Sequence, residues 1–190
     1  MTAMALRVPH IDPNELEVHV VAMRRRHLRS VLRVEAQVYP RPWTLGLFLS
    51  ELALHTTRCY VVARIDGAVV GYAGLMFACD DAHVTTIAVD PGWHRAKIGT
   101  RLLVTLAREA IRAGMRNLTL EVRVSNTPAQ AMYQKFGFTA AGVRKNYYLE
   151  SNEDALVMWA ERIDEAPYAR RLAAIEAMLP GSTVWCEGMG

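Results

Sequence analysis

The period of the hydrophobic pattern changes several times along the chain, and each change marks an element. After a Pro-containing start that runs to about Asn14, LEVHVVAM mixes β-branched residues with an approximate alternation and predicts a strand. In HLRSVLRVEAQVY the residues Leu28, Val31, Leu32 and Ala36 recur at helical spacing, so a helix follows. The segment Tyr39-Pro40-Arg41-Pro42-Trp43 cannot continue that helix, because proline lacks an N–H and restricts the residue before it. Thr44 is placed to cap the next helix, TLGLFLSELAL. CYVVARI and AVVGYAGLMFA flank Asp66-Gly67, a dipeptide favoured in two-residue hairpin turns, and predict antiparallel strands. HVTTIAV reads as another strand, ended by Asp90-Pro91-Gly92. From Gly99 the period lengthens: Leu102, Leu103, Leu106, Ala107, Ala110 and Ile111 form one helical face, closed by Gly114.

NLTLEVRV alternates, with Leu118, Leu120, Val122 and Val124 on one face and Thr119, Glu121 and Arg123 on the other. Thr127, Pro128 and Gln130 form a capping-box arrangement for a helix carrying Ala129, Met132, Tyr133 and Phe136 on one side and ending at Gly137. GFTAAGVRKNYYL and ALVMWAERI predict a closing hairpin across the turn from Glu150 to Asp154. The order is strand, two helices, three strands, helix, strand, helix, two strands, an α/β arrangement of about seven strands and four helices. Past Asp164, YARRLAAIEAML is a compact amphipathic helix and PGSTVWCEGMG a Gly-rich end. The expected organisation is an N-terminal extension (1–15), one domain (16–163) and a C-terminal helical tail (164–190), with no internal repeat.

Composition narrows the class. Of 190 residues, 52% are hydrophobic and 22% charged, and 22 Lys and Arg against 19 Asp and Glu give +3, which excludes a disordered chain. The basic run Arg24-Arg25-Arg26-His27 is short and isolated and reads as a solvated helix start, so no direct nucleic-acid partner is expected. Cys59, Cys79 and Cys186 are widely spaced, which suggests neither a disulfide framework nor a Cys-x-x-Cys site. His83 and His94 lack metal-ligand spacing, so no metal is expected. The N-terminus lacks the pattern of a secretory signal, and the longest uncharged apolar stretch, Gly67 to Cys79, is too short for a membrane span. The expectation is a cytoplasmic protein with no membrane role.

Candidate chemistry concentrates between Val84 and Arg123, where a strand runs through the loop WHRAKIGT into a helix N-terminus and the next strand presents Glu121. Backbone N–H groups at a helix start attract phosphate, and Arg95 and Lys97 add positive charge. On this ground alone an anion site and an ordinary connecting loop both stand, since neither a Walker pattern nor Gly-x-Gly-x-x-Gly is present. From the residues alone Glu121 reads as a solvated strand carboxylate or a general base, Tyr133 as a core aromatic or a proton donor, and Trp43 as a packing residue or a cleft wall. Period two points one of Tyr147 and Tyr148 into the core.

IAVDPGWHRAKIGTRLL, TLEVRVSNTPAQAMYQKFGF and GVRKNYY with EDALVM together resemble the GNAT superfamily of acetyl-CoA-dependent N-acetyltransferases. Over roughly residues 16 to 160 the resemblance is to the RimI branch, which acetylates the N-terminal alanine of a small-subunit ribosomal protein, and YPRPWTLGLF resembles a segment of that branch. The strand and helix order matches the GNAT fold. The resemblance implies acetyl-CoA as cosubstrate, a protein N-terminus as partner, Glu121 as base and Tyr133 as acid. It implies that Ile87, Ala88 and Val89 bind the pantetheine arm and meet the oxyanion. His94, Arg95, Ala96, Lys97, Ile98, Gly99 and Thr100 would hold the pyrophosphate, Asn126 would contact the cofactor, and Trp43 and Tyr147 would border the acceptor. No cysteine falls in the motif blocks, so direct transfer is expected rather than an acetyl-cysteine intermediate. Lys97 departs from the pattern, standing where the family's loop has its first glycine. If that position needs positive φ, lysine is strained there; if only its N–H is used, the ammonium adds attraction for the pyrophosphate. Other acceptors, such as a lysine side chain or a small amine, and a non-catalytic CoA-binding module are the alternatives.

Overall fold

The computed structural model describes residues 12–185. In chain order the elements are β1 (Glu17–Ala22), α1 (Leu28–Val38), α2 (Leu45–Ala53), β2 (Arg58–Ile65), β3 (Ala68–Ala78), β4 (Asp81–Val89), α3 (Ile98–Arg112), β5 (Asn117–Arg123), α4 (Thr127–Lys135), β6 (Thr139–Tyr148), β7 (Glu153–Glu161), α5 (Ala166–Ala177) and β8 (Ser182–Trp185). All eight strands join one sheet in the order β6-β7-β5-β4-β3-β2-β1-β8. Two contacts are parallel, β4 with β5 and β1 with β8; the other pairs are antiparallel.

The alternation along β2 divides the core. Val61 and Ala63 belong to a cluster with Leu102, Leu103 and Leu106 of α3, whereas Tyr60 and Val62 face Val31, Val34 and Phe48 of α1 and α2. The sheet is thus covered on both faces. Local signals explain the joints: the Thr44 hydroxyl accepts the Leu47 N–H at 3.2 Å, and Asp66 and Gly67 adopt φ of 48° and 80°, as a type I′ hairpin turn requires.

Three expectations need correction. The cap of α4 is Asn126, whose side chain accepts the Ala129 N–H at 3.2 Å, one residue before Thr127. Gln130 does not close a capping box; its amide donates to the carbonyls of Arg123 and Val124, because the chain leaving β5 turns back within its reach. Neither Tyr147 nor Tyr148 enters the core. The β6–β7 register slips between Arg144 and Tyr148, with Asn146 at φ 50°, and this irregularity breaks the period-two rule.

The C-terminal segment adds an eighth strand to the expected seven. β8 lies parallel to β1, with Val18 opposite Thr183 and Val20 opposite Trp185, while Tyr168 and Leu172 of α5 are buried in the α3-side core. Arg108 of α3 pairs with Glu176 and lies 5.0 Å from the Trp185 ring centroid. A four-residue strand shows no readable alternation, and its partner lies at the other end of the chain. Most of the expected N-terminal extension, and Cys186, fall outside the described residues.

Candidate active site

β4 and β5 pair only where Asp81, Ala82 and His83 face Asn117, Leu118 and Thr119. Beyond that point β4 continues along β3 and β5 along β7, so the two strands part and leave a wedge in the sheet. Thr85 is an extra residue in β4 at the start of the gap, where the register with β3 slips past Gly74. Gly74 is required at this bulge: a Cβ there would lie 2.2 Å from the Tyr60 ring.

The wedge opens into a cavity of about 380 Å³ that brings together six of the expected residues, Trp43, Ile87, Glu121, Asn126, Tyr133 and Tyr147. Ala88, Val89 and the segment His94–Thr100 do not line it; they occupy the end of β4 and the entry to α3.

Glu121 is not solvated. Its side chain is only 8% exposed, with Oε2 3.1 Å from His83 Nε2 and Oε1 3.2 Å from the Arg144 guanidinium. The other His83 nitrogen, Nδ1, is 2.8 Å from the Thr119 hydroxyl. The imidazole thus lies between the Thr119 hydroxyl and the Glu121 carboxylate. Burial lowers the His83 pKa and Arg144 lowers it further, against the opposing pull of Glu121, so the imidazole stays neutral at neutral pH. Sequence reasoning weighed His83 only as a metal ligand. No local signal marks it: His83 meets Glu121 only because β4 and β5 pair in parallel, which brings residues far apart in the chain together.

Tyr133 projects from α4 and is buried, its ring 5.7 Å from that of Phe138. Its hydroxyl has no hydrogen-bond partner among the described residues. Burial raises its pKa, with smaller contributions from Tyr39 and Tyr148, so it keeps its proton. Tyr39, which the sequence marked only as a helix stop, places its hydroxyl 3.1 Å from that of Thr86 and donates to the Ile87 carbonyl at 3.0 Å. Trp43 packs on Phe48 at 5.3 Å, and its backbone N–H donates to Glu35 Oε1 at 2.8 Å. Asn126 spends its oxygen on the α4 cap and has its amide NH2 left over.

At the α3 entry, Arg95 and Lys97 adopt φ of 71° and 60°. The left-handed alternative therefore holds at Lys97, at about 1–2 kcal/mol for a side chain with a Cβ. The Arg101 N–H bonds the Lys97 carbonyl at 3.1 Å, while the N–H groups of Ile98, Gly99 and Thr100 have no partner within the helix. This N–H-rich, basic turn fits a pyrophosphate, and the unpaired edge of β4 fits an extended amide-containing arm. The Cys59 thiol is pushed up to about 12 by burial, which leaves it a poor nucleophile.

Residues 28–138 match the profile of the acetyltransferase (GNAT) family. The chain belongs to the GNAT acetyltransferases. A Bacillus subtilis protein provisionally named [ribosomal protein bS18]-alanine N-acetyltransferase is 40% identical over 137 residues, 72% of this chain and 91% of that protein. The N-alpha-acetyltransferase RimI of Mycobacterium tuberculosis is 37% identical over 147 residues, 74% of this chain and 90% of the relative. The crystal structure of the ribosomal-protein-S18-alanine N-acetyltransferase of Escherichia coli superposes with a TM-score of 0.70 at 29% identity, covering 76% of this chain and 94% of that one. This GNAT acetyltransferase is an acetyl-CoA-dependent enzyme of the RimI-like group. Among the described residues no helix is long and apolar enough to cross a membrane.

Proposed function

We propose that the enzyme transfers the acetyl group of acetyl-CoA directly to the α-amine of a protein N-terminus, with the N-terminal alanine of ribosomal protein bS18 as its substrate. The observation that carries this reading is the single cavity in which Glu121 and Tyr133 meet at the split between β4 and β5. Its acceptor side is bordered by Trp43 and Tyr147, and the relatives named above act on the same kind of amine.

An amine attacks only when unprotonated, and an α-amine, with a pKa near 7.7–8.0, loses its proton far more readily than a lysine near 10.4. Glu121 takes the proton, directly or through one water, as the N–C bond forms. His83 and Arg144 hold the carboxylate from both sides, so it need not reorganise when it acts. A backbone N–H of the Ile87–Val89 stretch meets the oxyanion. Tyr133, kept protonated by burial, gives its proton to the departing sulfur as the C–S bond breaks. The turn His94–Thr100 holds the pyrophosphate, Asn126 contributes its free amide, and residues 16–163 carry the reaction.

CoA thiol release, followed with an Ala-starting peptide and with an N-blocked lysine peptide, tests the acceptor. Release with the Ala-starting peptide is expected, lowered by about 100-fold in Glu121→Gln, the usual scale of a general base. Release only with the lysine peptide would sink the N-terminal reading. CoA binding without turnover of any acceptor would make the chain a binding module.

A further inference from the structure

Arg101, in the first turns of α3, is fully buried. Arginine is almost never so without a carboxylate partner. None of its partners is acidic: Nη1 donates to the Ala96 carbonyl at 3.0 Å, Nε to the Thr183 hydroxyl at 2.8 Å, and Nη2 to the Pro180 carbonyl. Burial lowers its pKa, but an arginine in a protein remains charged. The result is a buried cation joining two distant segments, the turn before α3 and the start of β8.

The peptide geometry gives that junction a direction. No peptide bond in the described chain is cis, so the Ala96 carbonyl and the Lys97 N–H lie in one plane and point in opposite directions. With the carbonyl drawn inward to Arg101, the Lys97 N–H faces outward, to the side where a pyrophosphate would sit. Ala96 is flanked by Arg95 and Lys97, both in left-handed conformations that cost about 1–2 kcal/mol each. Such a turn holds its shape only under outside restraint. The far end is itself fixed: the Ser182 N–H donates to the Leu16 carbonyl at 2.8 Å and β8 is paired along β1. Gly181 lies so close to the carbonyls of Leu16 and Pro13 that a Cβ would come within 2.3 Å and 2.9 Å of them.

We propose that the C-terminal strand is a working part of the donor site: through Arg101, Thr183 and Pro180 preset the Ala96–Lys97 peptide to receive the pyrophosphate of acetyl-CoA, with the guanidinium charge lying beneath it. This rests on the assignment of the His94–Thr100 turn to the pyrophosphate. Arg101 and Thr183 are positioning residues; neither touches the reacting atoms. The thiol, the acetyl group and the amine are unaffected, so the signature is confined to the phosphate end of the donor.

The test compares wild type, Thr183→Val, Thr183→Ser and Arg101→Met. CoA affinity is measured by calorimetry without an acceptor, and turnover is measured with acetyl-CoA and with acetyl-pantetheine, which has no pyrophosphate. Thr183→Val should weaken CoA binding by about three- to tenfold, the partial loss of one charge-assisted hydrogen bond. It should raise KM for acetyl-CoA by the same factor and leave KM for the peptide and turnover of acetyl-pantetheine unchanged. Thr183→Ser restores the hydroxyl and should restore affinity, and Arg101→Met should show the larger loss with the same selectivity. Unchanged CoA affinity in folded Thr183→Val, or an equal loss with acetyl-pantetheine, overturns the proposal. Because affinity is read without an acceptor, failure of the N-terminal assignment leaves the comparison standing; a wild type that binds no CoA refutes both.

Discussion

Lys97→Gly separates the two consequences of having lysine at the α3 entry. At φ 60° the Cβ costs about 1–2 kcal/mol, which glycine removes. Glycine's greater freedom in the unfolded chain takes back about 0.5–1 kcal/mol. The balance is a gain of about 0.5–1 kcal/mol, or roughly 1–4 °C in Tm for a chain of this length. The same substitution removes an exposed ammonium beside the turn proposed to hold the pyrophosphate. A screened surface charge is worth about 0.3–1 kcal/mol, so CoA should bind roughly two- to fivefold more weakly at low salt and nearly as wild type at high salt. Lys97→Ala loses the charge but keeps the strained backbone, so it should show the weaker binding without the gain in Tm. Thermal denaturation and calorimetry at two salt concentrations read both effects. A lower Tm in Lys97→Gly, or weakening that does not depend on salt, would refute the reasoning.

Tyr133→Phe should lower kcat by about 100-fold while Tm stays within about 2 °C, because no hydrogen bond is lost with the hydroxyl; an unchanged kcat would show that another group protonates the sulfur. Phe48→Ala should destabilise by about 3–5 kcal/mol in denaturant titrations, since Phe48 is fully buried between Trp43 and Tyr72. Acid should weaken the fold through His27, whose pKa is lowered by burial and then by Arg26, Arg64 and Arg24. A lowered histidine gives stability that is complete above its unfolded value of 6.5 and is lost as pH falls through the folded value. Stability should therefore begin to drop below about pH 6.5, and His27→Gln should flatten that slope.

Local pattern was enough for every element whose period repeats over six or more residues, which is why β1 to β7 and all five helices were legible. What escaped depends on residues far apart in the chain. β8 exists only because β1 offers it an edge, and the aim of Tyr147 and Tyr148 depends on a register slip against β7. The α4 cap was misplaced by one residue because Asn126 and Thr127 are both competent caps and only the path out of β5 chooses between them. At the candidate site, Glu121, Tyr133 and the α3 turn were singled out by the family resemblance, and the residues alone left each with two readings. The burial of Glu121 between His83 and Arg144 was not legible, since it joins β4, β5 and β6.

The strand at the end of the chain also bears on how the molecule behaves in company. An uncovered β1 would present an edge rich in β-branched residues, a template for pairing with other copies. β8 occupies that edge and substitutes a margin only four residues long, too short to recruit a neighbour readily. Deleting the C-terminal segment would therefore do more than alter the donor site: it would bare a sticky edge, and self-association would be superimposed on any change in CoA affinity. Single substitutions at Thr183 keep the edge covered, and solubility as well as affinity should separate them from truncation.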